Sequence, residues 1–305
     1  MLSQRIIHFI ELEVVFECND GIDCECGGVQ ARTLHTSFQK TPSIFGPVNS
    51  QKQATMWRAI VEDYSKLDLT YVRDRLPALS GLAHAFEERH SKLESPGRYL
   101  AGLWESTFKD DLAWFYHIPA RNQSGEYVAP TWSWAGSMAS KLASSKPPEE
   151  HLFGITSMNT EIDSADEMRQ LKSATLCLHG HLVEVRWERR NQFSYATMIT
   201  HPPDLELITL GNLEEEEESS TGAHCASSFH DIHIDYDFGV PGPDCIPEEE
   251  TLYVFALGIT YYKSMRCLVL RRTANSGANV FQRVGFAEMF CKLVQNTLTT
   301  DLTII

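Results

Sequence analysis

The sequence predicts an α+β chain, with a short N-terminal β segment, a helical middle region and a C-terminal antiparallel β region forming a sandwich or an open barrel. Three observations predict it. Residues 4–17 alternate in hydrophobicity, apolar residues between 51 and 116 recur at helical spacing, and alternation returns from Lys172 onward in short segments separated by polar turns. The corresponding divisions are 1–48, 49–140 and 141–305. They are joined by Tyr99 to Gly136, a stretch holding Trp104, Trp114, Trp132 and Trp134, four of the chain's six tryptophans. A segment this aromatic belongs in a core or along a site.

At the N-terminus, Ile6, His8 and Ile10 fall on one side of an extended chain and Ile7 and Phe9 on the other, followed by the β-prone Val14-Val15-Phe16, so two short strands are expected. Asn19-Asp20-Gly21 supplies a turn and Gly27-Gly28 a second break. Cys18, Cys24 and Cys26 lie close in sequence, with His8 or His35 available as a fourth tetrahedral ligand. A CxxC pair is missing, which makes a thiol-rich turn the expectation rather than zinc. Residues 31–50, with Pro42, Gly46 and Pro47, read as a loop.

The next segment is helical. Trp57, Ile60, Val61 and Tyr64 step at i, i+3, i+4 and i+7 and predict a helix over Gln51 to Ser65. A second helix follows Asp74 as its cap or first-turn acid, with Pro77 in its first turn and Leu76, Leu79, Ala83 and Phe86 on its buried stripe. Two further helical pieces are expected over Tyr99 to Ser106 and Phe108 to Tyr116, with a turn at 123–126. In an extended Pro130 to Ala135 the rings of Trp132 and Trp134 would share one face, as a stacking platform for a sugar or nucleobase or, the expected use, as an apolar lid over the helices.

Strands are expected at Ala174–Leu178, Leu182–Trp187, Tyr195–Thr200, Leu205–Thr209, Ile232–Asp237, Thr251–Ile259, Met265–Arg271 and Val280–Gly285, then a terminal helix over Ala287 to Gln295. The acidic loop 211–225, with Glu214 to Glu218 in succession, is a solvated run rather than a metal site.

Composition excludes several function classes. Asp and Glu number 41 against 26 Lys and Arg, for a net charge of −15 and a pI near 5.2, so no basic patch exists to hold phosphates of nucleic acid or an anionic membrane. Arg5, Glu11 and Glu13 interrupt the apolar start before a leader or a spanning helix could form. The eight cysteines therefore read as reduced thiols in a cytosolic or nuclear protein, with cytoplasmic as the expected localisation and Cys177, Cys267 and Cys291 as small buried hydrophobes. No P-loop or GxGxxG is present, and Ser80 in ALSGLA lacks the preceding glycine of a nucleophile elbow.

The order of DRLPALSGLA (Asp74 to Ala83), YLAGLW (Tyr99 to Trp104), LAWF (Leu112 to Phe115) and APTWSWAG (Ala129 to Gly136) resembles the region downstream of the heterokaryon-incompatibility (HET) domain in proteins of filamentous fungi. LSQRIIHF with FEC (Leu2 to Phe9, Phe16 to Cys18) is similar to the last block of the HET domain itself, and CLVLRR (Cys267 to Arg272) with FQRVGF (Phe281 to Phe286) is similar to the tail of such proteins. The resemblance implies a portion of a self/non-self recognition protein, of a system that triggers programmed cell death, beginning where the TIR-like effector domain ends. No functional residue of that domain has a counterpart here.

The function expected is accordingly non-enzymatic: a protein-interaction or regulatory portion with an unidentified protein partner, no nucleic acid and no membrane, and no catalytic, cofactor-binding or metal residue assigned. A rival reading is a metal-dependent enzyme. His179 and His181 share one face of a strand, Glu184 follows, and His230, Asp231, His233 and Asp235 offer nitrogen and oxygen ligands on another strand, although cupin-type glycines are missing.

Overall fold

The computed structural model describes residues 5–10, 13–18, 21–24, 50–67, 69–90, 95–120, 127–162, 171–191, 194–200, 229–241, 245–247, 250–262, 264–273, 279–289 and 299–305. The chain is α+β, with few helices and most of its regular structure in one large mixed sheet.

At the N-terminus, β1 (Arg5–Ile10), β2 (Glu13–Cys18) and β3 (Gly21–Cys24) form a three-stranded antiparallel sheet. Helix α1 (Ser50–Tyr64) follows the periodicity, burying Trp57, Ile60 and Val61. Helix α2 (Pro77–His90) buries Leu79, Ala83 and Phe86. Asp74 is not its cap: it closes a separate 3₁₀ turn, Val72–Asp74, and α2 starts on Pro77, where the missing N–H has no helical acceptor to lose.

The largest correction falls on Tyr99 to Tyr116. In place of the first helical piece, β4 (Tyr99–Leu100) and β5 (Leu103–Trp104) form a tight hairpin whose turn residues Ala101 and Gly102 both have positive φ, 50° and 96°. That left-handed pair is what a two-residue hairpin needs. Leu100, Leu103 and Trp104 mimic helical spacing because both ladder partners of the hairpin face one core. A 3₁₀ turn, Glu105–Thr107, leads into a one-turn α3 (Phe108–Asp111), and the second helical piece ends there, because β6 (Trp114–Ile118) is extended and pairs with β7 (Ser140–Ser144). Trp132 and Trp134 are not in a strand either: Ser133 caps a 3₁₀ turn at Trp134–Gly136 with its hydroxyl.

The large sheet contains β8 (Glu150–His151), β9 (Phe153–Ile162), β10 (Leu171–Asn191), β11 (Ser194–Thr200), β12 (Phe229–Ile234), β13 (Thr251–Ile259), β14 (Met265–Arg272), β15 (Val280–Met289) and β16 (Thr299–Ile304). Two expected strands, 174–178 and 182–187, are parts of the single long β10. Its first half pairs with β16 and its second half with β13, so the path β10–β16–β15–β14–β13 returns to its own starting strand. All pairings in this sheet are antiparallel except β15 with β16, which corrects the purely antiparallel expectation. Residues 287–289 of the expected terminal helix belong to β15, its remainder lies outside the described residues, and so does the strand expected at 205–209.

β13 is buried along seven of its nine residues because both of its faces are covered. One apolar core runs from Trp57 of α1 through the tryptophan stretch to Ile304 of β16. Cys267 lies in it, whereas Cys177 is half-buried beside Thr303 and Cys291 lies outside the described residues. Among the described residues no helix is long and apolar enough to cross a membrane.

Candidate functional site

Two clusters of polar side chains concentrate at the boundary between the helical layer and the sheet. The first is the tryptophan junction. Trp57 Nε1 of α1 donates to the Gly102 carbonyl at 3.0 Å, and Trp134 Nε1 donates to the same oxygen at 3.2 Å. A Cβ on Gly102 would stand 2.5 Å from Trp134 Nε1, so only glycine permits that approach. Ser133 Oγ donates to the Ala101 carbonyl, Trp114 Nε1 to that of Trp132 and the Tyr116 hydroxyl to that of Trp134. Irregular backbone sunk in an apolar core needs acceptors satisfied in this way, since no ladder serves it.

Arg283 of β15 ties the junction to the sheet. It flanks a β-bulge: Leu270 opposes Arg283 and Val269 opposes Gly285, leaving Val284 out of the ladder with β14. The freed Val284 carbonyl accepts from the Asp235 N–H, and the Arg283 N–H donates to Thr131 Oγ1. The Arg283 guanidinium is fully buried; it donates to Asp235 Oδ2 at 3.1 Å and to the Leu112 and Trp114 carbonyls at 2.9 and 2.5 Å, and lies 3.2 Å from the Trp114 ring centroid. Burial pushes the Asp235 carboxyl up from its ordinary range, more than the guanidinium beside it pulls it down, and the same burial lowers Arg283. Burial likewise raises the Tyr116 hydroxyl to about 12. Nothing in this junction is open to a substrate; its chemistry is that of a structural rivet.

The second cluster surrounds Asp110 of α3 and is half-open to water. His151 Nε2 lies 3.0 Å from Asp110 Oδ1, and Arg58 of α1 bridges to Asp111 Oδ1 at 2.5 Å and Asp110 Oδ2 at 3.8 Å. Thr107 Oγ1 donates to the other Asp111 oxygen, while burial raises the Asp111 carboxyl despite Arg58. Arg266 of β14 is buried between the Glu288 and Asp110 charges, and its Nε and Nη1 have no acceptor among the described residues. Acids and bases alternate here, and the Ser264 hydroxyl on Glu288 is also engaged by Thr260 Oγ1 at 2.6 Å. Mutual neutralisation is what this arrangement does.

The residues proposed for metal chemistry are not brought together. His179 sits on β10 with its Nδ1 2.8 Å from Asp301 Oδ1, across the β10–β16 pair. His181 opposes Thr299 and Glu184 opposes Tyr253 on the same strand. β12 pairs instead with β15; there the His233 ring stacks on Phe115 at 4.1 Å and Asp235 is committed to Arg283. The side chains of His230 and Asp231 lie outside the described residues, and among those described no group of three His, Cys, Asp or Glu could hold a metal. Among the described residues, His179 is thus paired across β10–β16, His233 is stacked and Asp235 is ion-paired, each on its own strand pair. In the N-terminal sheet Cys18 opposes Gly21 and Cys24 opposes Val15; their side chains, together with Cys26, His8 and His35, lie outside the described residues.

The stacking platform is also corrected. Trp132 and Trp134 are each 1% exposed, Trp132 packed edge-on to Phe108 and Trp134 to Tyr64. What sequence reasoning missed includes two arginines buried in strands, besides Arg75, which is also buried and lies over the Trp134 ring. The available signal was a charged residue in the middle of an apolar strand: Arg283 in FQRVGF and Arg266 in MRCLVL. Compared with known proteins, the chain matches no family model, no curated protein and no solved structure.

Proposed function

We propose that the chain is a non-enzymatic, protein-interaction or regulatory portion of a HET-type self/non-self recognition protein, acting in the cytoplasm on a protein partner. What carries the reading is the Gly102 carbonyl, where the two motifs of the resemblance meet: YLAGLW contributes the acceptor and APTWSWAG one of its two indole donors. Their residues are spent on holding α1, the hairpin and the sheet together, so the motifs mark an architecture rather than a reaction centre. On this reading β1–β3 is the edge of the effector domain, the sheet is the barrel-like body, and partner contacts fall on exposed loops. The acidic charge suits a protein partner better than nucleic acid or an anionic membrane.

The test is interference in a filamentous fungus. The chain is co-expressed with a full-length HET protein that carries YLAGLW and APTWSWAG, and the incompatibility reaction is scored on strain confrontation. The expected result is a weakened reaction with the wild-type chain and none of that effect with Arg283→Ala. A reaction of full strength, with the wild-type chain accumulating to the level of the full-length protein on immunoblots, overturns the proposal.

A further inference from the structure

The charges of the Asp110 cluster cancel, whereas the tip of the β13–β14 hairpin is open. We propose that this tip, Tyr261 and Tyr262, docks a segment rich in arginine or lysine from a partner protein. Tyr261 and Tyr262 are 72% and 75% exposed, the most open of the large apolar side chains described, and their rings stand edge to face with centroids 5.4 Å apart. Beyond that mutual contact, two aromatic rings this exposed at the end of a strand pair bury little against their own chain.

The tip is held rather than left loose. Thr260 N–H donates to the Ser264 carbonyl at 2.8 Å, Ser264 N–H to Thr260 Oγ1 at 3.2 Å, and the two hydroxyls meet at 2.6 Å. Ser264 Oγ also donates to the Glu288 carboxylate, so the hairpin base is tied to β15 as well. Thr260 and Ser264 are buried while Tyr261 and Tyr262 project. Fixing the base before binding removes part of the ordering cost, and tyrosine is among the residues that dominate interface energetics.

Charge selects the occupant. Glu149 N–H donates to the Ile259 carbonyl and Glu150 of β8 pairs with Ile259, which places two exposed carboxylates, one on the strand beside the hairpin and one just before it, opposite a residue two positions from Tyr261. Glu288 and Asp110 are already matched by Arg266, Arg58 and His151, so the selecting charge at the tip is that of Glu149 and Glu150. By sequence, Lys263 follows Tyr262 and Lys146 precedes Glu149, which only partly offsets these acids within a chain of net charge −15. A guanidinium or ammonium group can then rest on a tyrosine face while a neighbouring carboxylate pairs with it, and the acidic field steers it in. An acidic partner would meet repulsion.

The inference rests on the exposed tip and not on the HET reading, to which it adds a partner chemistry. Fluorescein-labelled hexa-arginine is titrated with the full chain and followed by anisotropy at about 0.15 M salt. Tyr261→Ala/Tyr262→Ala leaves the net charge untouched and is expected to weaken binding about tenfold, while Tyr261→Phe/Tyr262→Phe stays within about twofold of wild type. Glu149→Gln/Glu150→Gln should weaken binding and flatten its salt dependence. Equal binding by wild type and the alanine pair would mean that peptide is held by diffuse acidity such as Glu214 to Glu218, and overturns the proposal. So does a tyrosine-dependent dimer in sedimentation velocity, which would assign the tip to a second copy. Loss of peptide binding by the alanine pair with the interference assay unchanged would leave the tip proposal standing apart from the HET reading.

Discussion

The tryptophan junction and the β13–β14 hairpin tip are both aromatic, and they sit at opposite extremes of burial. Trp132 and Trp134 are 1% exposed, and Trp57, Trp114 and Trp134 each pass their N–H to a backbone carbonyl. Tyr261 and Tyr262 stand almost wholly in water on a base that needs nothing from them. Aromatic content is therefore no guide to role. The backbone around the rings decides: an irregular turn inside a core requires indole and hydroxyl donors, whereas a closed hairpin leaves its tip spare.

That contrast can be broken first at Arg283. Arg283→Ala strands the buried Asp235 carboxylate and two carbonyls, and an effect of about 5 kcal/mol in urea denaturation is expected, the upper end for breaking a buried pair. A midpoint unmoved by this change would show that the junction does not join the layers. Next, Trp104→Ala removes a ring packed against Trp57, Phe86 and Tyr99 at centroid distances of 5.5, 5.6 and 5.0 Å, and Trp132→Ala empties the site beside Phe108; each should cost about 3–5 kcal/mol by chemical denaturation.

A smaller effect comes from pH. Tyr116 holds its proton to about 12 in the fold, against an ordinary 10.0, so the folded state binds that proton more tightly than the unfolded chain does. Its contribution is fully present below pH 10 and is lost as pH rises through the folded value, about 2–3 kcal/mol in all. Tyr116→Phe, although destabilised at neutral pH by loss of the bond to the Trp134 carbonyl, should show a shallower alkaline decline in stability than wild type. Parallel declines would mean another group governs alkaline unfolding. The smallest effect is expected at the tip, where Tyr261→Ala/Tyr262→Ala should change stability by less than about 0.5 kcal/mol, and a larger loss in thermal melts would mean the rings pack on the fold.

Much of the fold was legible. The stripes Trp57-Ile60-Val61 and Leu79-Ala83-Phe86 gave both long helices within a few residues, because their packing follows the helical period. The apolar runs of β13, β14 and β15 were legible for the same kind of reason. Tyr99 to Tyr116 was not, since a left-handed Ala101–Gly102 turn is selected by what packs on it and leaves no period in the sequence. Of the candidate sites, the histidine strands of the rival reading were legible as strands, but their neighbours were not: alternation tells which side of a strand a residue takes, never which strand lies next to it.

By itself the sequence determined the α+β class, the long helices, the three central strands, the acidic surface and the concentration of tryptophans between 99 and 136. Those follow from composition and from contacts a few residues apart. Tertiary structure alone decided that Arg283 would meet carbonyls 169 and 171 residues away and a carboxylate 48 away, that β10 would close the ladder through β13 and β16, and that Gly102 would receive two indoles. A partner so distant along the chain writes no local pattern, because its choice is made by the packing of whole layers around one core.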